Sequence, residues 1–192
     1  MDITVVWVLI ALVLIGTIAW ITLSRVRTRR LRDRFGPEYD RTVHSEGSLK
    51  KAEAALEARA KRVASLHIHP LSPADADRFD QAWRSVQARF VDDPAGAVTQ
   101  ADKLVGEVMA TRGYPVGEFE QRVADISVDH PDVVMNYRAA REIASIHAQG
   151  RASTEDLRQA MVHYRALFRD LLERAEEKAD IHKHDRTPAG RH

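Results

Sequence analysis

Residues Ile3 to Leu23 read ITVVWVLIALVLIGTIAWITL, 21 positions without a charge. As a helix they extend about 31 Å, close to the roughly 30 Å of a hydrocarbon core. Such a helix has no polar face and must find apolar surroundings on every side, which water-soluble folds seldom provide. Trp7 and Trp20 stand near its two ends, where indole rings favour the membrane interface. A cleaved signal peptide would need a basic leader, a shorter apolar run and a small-residue cleavage site. Here Met1-Asp2 precedes the run and Ser24-Arg25-Val26-Arg27 follows it. The reading is an uncleaved transmembrane anchor over residues 1–24. Gly16 is its only glycine, and no close small-xxx-small pair marks a helix-pairing face.

The net charge of +1 hides three blocks: −1 over residues 1–24, +5 over 25–34 and −3 over 35–192. The middle block holds Arg25, Arg27, Arg29, Arg30, Arg32 and Arg34. Basic residues beside a span stay on the cytoplasmic side, and no basic residue competes at the other end. The expectation is a single-pass protein of the inner (plasma) membrane, N-terminus outward, with residues 25–192 in the cytoplasm. The same arginines would sit against anionic lipid head groups of the bilayer. Nucleic acid is not an expected partner. The basic residues form one short stretch, with Phe35 the only nearby aromatic and no recognition motif around it.

Zero cysteines exclude a disulfide framework, a cysteine-based zinc site and a thiol nucleophile. No stretch alternates with a two-residue period, and helical spacing recurs throughout, so the fold class is all-α. Phe35-Gly36-Pro37 ends the helix leaving the membrane. Residues 25–71 form the arginine collar and a polar stalk helix, with an interruption at Ser45–Ser48. Leu49, Ala52, Leu56, Val63 and Leu66 give the stalk a weak apolar stripe, too short for a coiled coil. Residues 72–175 form a compact bundle of four longer helices and one short one. Ser72-Pro73, Asp93-Pro94 and Ser153-Thr154 carry start signals, and Gly113 and Gly150 carry stop signals. Phe119, Val123 and Ile126 mark the short helix. Residues 176–192 read as a disordered tail.

No constellation in the chain defines a reaction. Glycine-rich phosphate loops are missing, and no cofactor is expected. His67-x-His69 and His182-x-His184 are close pairs, but one lies in a linker and the other in the tail, so specific metal binding is not expected. Asp129-His130 reads as the cap of the helix starting at Pro131 rather than as an acid–base pair, and His163 as a boundary histidine bonded to a neighbour. Arg112-Gly113-Tyr114-Pro115 reads as a turn. With Tyr137 and Arg138 it supplies the residue types that anchor protein interfaces, so Arg112, Tyr114, Tyr137 and Arg138 are the candidate interaction surface.

LSP at 71–73, FVDDPAGAVTQADKLV at 90–105, RGYP at 112–115, DISVDHPDVV at 125–134 and STEDLRQAMVHYRALF at 153–168 resemble a family of bacterial proteins with an N-terminal membrane anchor and no assigned activity. The resemblance covers about half the chain and implies a bacterial setting without implying a mechanism. An arginine-to-lysine ratio of 23 to 6 suits a GC-rich genome. The expected function is a membrane-anchored cytoplasmic helical module that binds another protein. The alternative is an enzyme or ligand-binding bundle whose site forms only in three dimensions.

Overall fold

A computed structural model describes the backbone of residues 3–185 and the side chains of Trp7 and residues 10–173. The described residues form eight α-helices and no strand. The chain divides into two compact units, Met1–Ala58 and Arg59–His192.

In the first unit, α1 (Ile3–Phe35) runs unbroken from the apolar stretch through all six arginines. It is long and apolar enough to cross a membrane, and Leu12, Val13, Trp20 and Leu23 are all exposed along it. At 100° per residue Thr28, Leu31 and Phe35 share one face of α1, and this face turns inward. Gly36-Pro37 reverses the chain into α2 (Pro37–Glu46), with Pro37 in the first turn, where no N–H partner is missed. Gly47, at φ 62°, closes α2 in the left-handed region and donates its N–H to the Val43 carbonyl. α3 (Leu49–Ala64) follows. The stalk is thus two helices, separated at the foreseen interruption. Its weak stripe is partly inward: Ala52 and Leu56 are buried with Leu31, Phe35 and Tyr39, whereas Leu49 is 51% exposed.

In the second unit, α4 (Pro73–Arg89), α5 (Pro94–Thr111), α7 (Pro131–Ala148) and α8 (Thr154–Asp185) are the longer helices, and α6 (Phe119–Asp129) is the short one. Three start signals act as read. The Ser72 hydroxyl accepts from the Asp75 N–H at 3.1 Å and the Asp93 carboxylate from the Gly96 N–H at 2.8 Å. The Ser153 hydroxyl accepts from the Asp156 N–H at 3.2 Å, while the Asp156 carboxylate accepts from the Ser153 N–H at 2.8 Å. These bonds satisfy N–H groups that a helix start otherwise leaves open.

α5 is the hub. Ala97, Val98, Ala101, Leu104, Val105, Val108 and Met109 are all buried, a stripe wide enough to meet α4, α7 and α8. α8 lies closely along α7 and α5, while α4 lies along α5. α4 and α8 meet through large side chains: the rings of Trp83 and Phe168 stack at 4.8 Å. Gly113, at φ 91°, lets the chain pass the His67 carbonyl, where a Cβ would collide. Beside it, the His69 N–H donates to the Arg112 carbonyl at 3.0 Å.

Two boundaries differ from expectation. Residues 59–71 belong with the second unit, ahead of the start expected at Ser72. Arg62 explains this: its Nε and Nη2 reach the two carboxylate oxygens of Asp125, at 3.0 and 3.2 Å, and Asp125 is fully buried. At the other end α8 continues to Asp185, through the start of the segment read as disordered; residues 186–192 lie outside the described residues.

Candidate functional site

The RGYP turn follows the last turn of α5, as read, but its side chains face inward. Arg112 is 1% exposed. Its Nη1 donates to the Leu171 carbonyl of α8 at 3.0 Å and approaches His130 Nε2 at 3.2 Å. The opposite ring nitrogen, Nδ1, bonds the Asp170 carboxylate. A guanidinium can only donate, so Nε2 accepts and the ring proton sits on Nδ1, facing Asp170. A neutral imidazole thereby links a buried cation to a carboxylate. Arrangements of this kind are strongly destabilised by loss of one partner, because the other charge stays buried. His130 occupies the N-cap position of α7, as read, though without a side-chain cap bond of its own. Both residues also make tertiary contacts: His130 with Arg112 and Asp170, and Asp129 by accepting from the Tyr114 hydroxyl at 3.0 Å.

The candidate interaction surface is corrected accordingly. Arg112, Tyr114 and Tyr137 are all 2% exposed or less. Burial, reinforced by Asp129, pushes the Tyr114 phenol well above its ordinary range. The Tyr137 ring sits edge-on to Phe119 at 5.0 Å and to Tyr164 at 6.4 Å, with the Arg122 guanidinium 5.7 Å from its centre. Arg138 donates to Glu120 at 2.8 Å, its side chain 13% exposed. Large aromatic area and planar cations serve a protein's own core as readily as a partner.

The arginine collar is not uniform. Arg27 and Arg32 flank the inward face of α1 and pair within the unit. Arg27 donates to Glu57 at 2.8 Å, and Arg32 to Asp40 at 2.7 Å. Glu53, nearly buried, accepts from Thr28 at 2.6 Å and from Tyr39 at 3.2 Å. Arg25, Arg29, Arg30 and Arg34 are exposed.

Among the histidines, His67 and His69 are exposed, while the side chains of His182 and His184 lie outside the described residues. No three metal-ligating side chains gather among the described residues. His163 Nδ1 bonds Asn136 Oδ1 at 2.9 Å, the neighbour contact read for it.

One concave feature among the described residues of the second unit lies between α4 and α8. A groove of about 500 Å³ has Trp83 and Phe168 at its floor and Asp77, Asp80, Arg84, Arg165, Arg169 and Glu173 along its walls. Arg84 is held by Asp80 at 2.6 Å, one turn away. A shallower continuation of about 140 Å³ passes Gln87, Phe90, Arg158 and Met161. Trp83 and Phe168 are themselves buried, and sequence reasoning missed the groove above them. The available signal was the pair Arg165 and Arg169, one turn apart beside an aromatic stripe. Neither hollow includes Arg112, His130 or Asp170. Comparison with protein-family models, curated proteins and solved structures returns no match.

Proposed function

We propose that this chain is a single-pass membrane protein whose helical domain docks another polypeptide on the cytoplasmic side of the inner membrane, through the α4–α8 groove. The observation that carries the reading is the open groove above the buried Trp83–Phe168 stack, lined by the exposed Arg165 and Arg169. Arginine is among the side chains over-represented where binding energy concentrates. The expected occupant is a segment with an apolar anchor and acidic flanks. Continuity of α1 through Ser24 supports anchor over cleaved leader, because its lower half carries Leu31 and Phe35 into the buried interior of the first unit. The six arginines support the outward N-terminus.

The test uses the full chain in its native membrane with a photo-crosslinking residue at Gln87, which lines the groove, or at exposed Ser85 as control. The expected result is one discrete adduct from position 87, missing from position 85 and lost in R165E/R169E. Equal adducts from both positions, or none from either, would overturn the docking reading. The groove volume also falls within the range of small-molecule sites, which keeps an enzyme or ligand-binding bundle as the second reading. That reading predicts a crosslink-free Gln87 and a small molecule retained by the wild-type chain but not by W83A.

A further inference from the structure

The first unit holds a second hollow, of about 480 Å³, between α1 and the start of α3. Its apolar wall is Trp20, Leu23 and Leu49, exposed by 75%, 71% and 51%. Ser24, Arg27, Thr28, Lys50 and Glu53 make up the rest of its lining. The sequence treats Leu49 as part of a weak stalk stripe. The structure brings it back beside the last apolar turn of α1, because α2 reverses the chain and Gly47 reverses it again.

We propose that this hollow binds an anionic phospholipid at the membrane surface, with its phosphate on Lys50 and its upper acyl chain along Trp20, Leu23 and Leu49. Charge and continuity identify the occupant. Trp20 and Leu23 belong to the apolar stretch of α1, so an acyl chain lying along them would continue onto that stretch. The acids at this end are already engaged, Glu53 by Thr28 and Tyr39, and Glu57 by Arg27. Lys50 and Lys51 are exposed and carry no ion pair among the described residues. Cations beside a bilayer attract anionic head groups over roughly one Debye length, about 8 Å at physiological salt. An aromatic ring, two leucine side chains and a lysine present at one level the mixed chemistry of the interface. The α2–α3 turn is then a second membrane contact, and it sets the depth at which α1 stops.

This inference rests on the anchoring reading, so the experiment separates the two. The chain has no cysteine, so single cysteines at Leu49 and at Ala58, about 13 Å further along α3, can carry a fluorophore. The full-length protein is reconstituted into phosphatidylcholine vesicles with or without phosphatidylglycerol, and quenching by lipids spin-labelled near the head group is measured. Retention of each lipid is read by native mass spectrometry. Expected are strong quenching at position 49 and weak quenching at position 58. Phosphatidylglycerol should be retained over phosphatidylcholine, with at least a threefold loss of that preference in K50Q/K51Q and none in K103Q. Soluble glycerophosphate should not compete; full competition would reduce the site to a plain anion contact and overturn the lipid assignment. If the protein enters the bilayer but positions 49 and 58 quench alike, or the two lipids are retained alike, the inference fails while the anchor stands. If alkaline carbonate strips the protein from the vesicles, both fall.

Discussion

At the scale of single residues, the clearest lesson is Tyr114. Read as a turn residue offered to a partner, it is 2% exposed and donates to Asp129. Tyr114→Ala should cost about 3–5 kcal/mol, in the range of Trp83→Ala rather than of a surface change, measured by chemical denaturation of the helical domain. Tyr114→Phe, which removes only the hydroxyl, should cost about 1–3 kcal/mol by leaving Asp129 short of a donor. A loss below about 0.5 kcal/mol in both would return Tyr114 to the surface. A second residue-level prediction concerns Glu155. The hydrogen bond from Arg158, aided by one from Gln159, lowers its carboxyl to about 2. A depressed carboxyl contributes stability above its ordinary titration range and loses it as pH falls through the lowered value. In R158Q, carboxyl-detected NMR titration should move Glu155 back toward the ordinary range near 4; an unmoved titration would remove Arg158 as the cause. What was legible at this scale was local. Ser72, Asp93 and Ser153 bond within three residues of themselves, and spacing alone exposes them. Asp170 was not legible as the partner of His130, because forty positions separate them and only the packing of α8 on α7 closes the gap.

At the scale of elements, the helices follow their apolar periods closely, while the ends of the domain do not. Val63 and Arg62 look like the frayed end of a polar helix, yet one is buried and the other neutralises a fully buried carboxylate. Expression of the chain from Arg59 and from Ser72 should therefore give two domains of different stability. The shorter one should lose roughly 1–3 kcal/mol as Asp125 loses its charged partner, Gln121 remaining as a neutral donor at 2.9 Å. R62Q in the longer chain should reproduce the share of that loss that comes from Asp125, the buried Val63 and Leu71 accounting for the rest. Equal denaturation midpoints for all three would place the boundary back at Ser72. The groove between α4 and α8 belongs to this scale too. The apolar period of either helix marks Trp83 and Phe168 as inward; that the two backbones stand apart and leave a groove above the buried stack follows from their common packing on α5.

At the scale of the whole molecule, all four tyrosines behave alike. Burial is the leading cause that raises Tyr39, Tyr114, Tyr137 and Tyr164 above the ordinary phenol range. A raised group supports the fold fully below its unfolded value, near 10, and that support fades as pH climbs beyond it. Absorbance titration should show Tyr114, Tyr137 and Tyr164 still protonated in the folded protein at pH 10, with their phenolates emerging only together with loss of helical circular dichroism. Any of these three titrating near 10 while the helices persist would contradict this. The link from Arg112 through His130 to Asp170 and the Leu171 carbonyl has one more consequence, a matter of time rather than of energy. It joins the end of α5, the start of α7 and the middle of α8, and the Arg112–Leu171 bond spans 59 positions of chain. Closing so long a loop is costly until the intervening helices have docked, so this latch should shut after the rate-limiting step of folding. Arg112→Met in the helical domain would then leave the refolding rate nearly untouched and speed unfolding, which makes the latch a clock on how long the domain, once folded, stays folded.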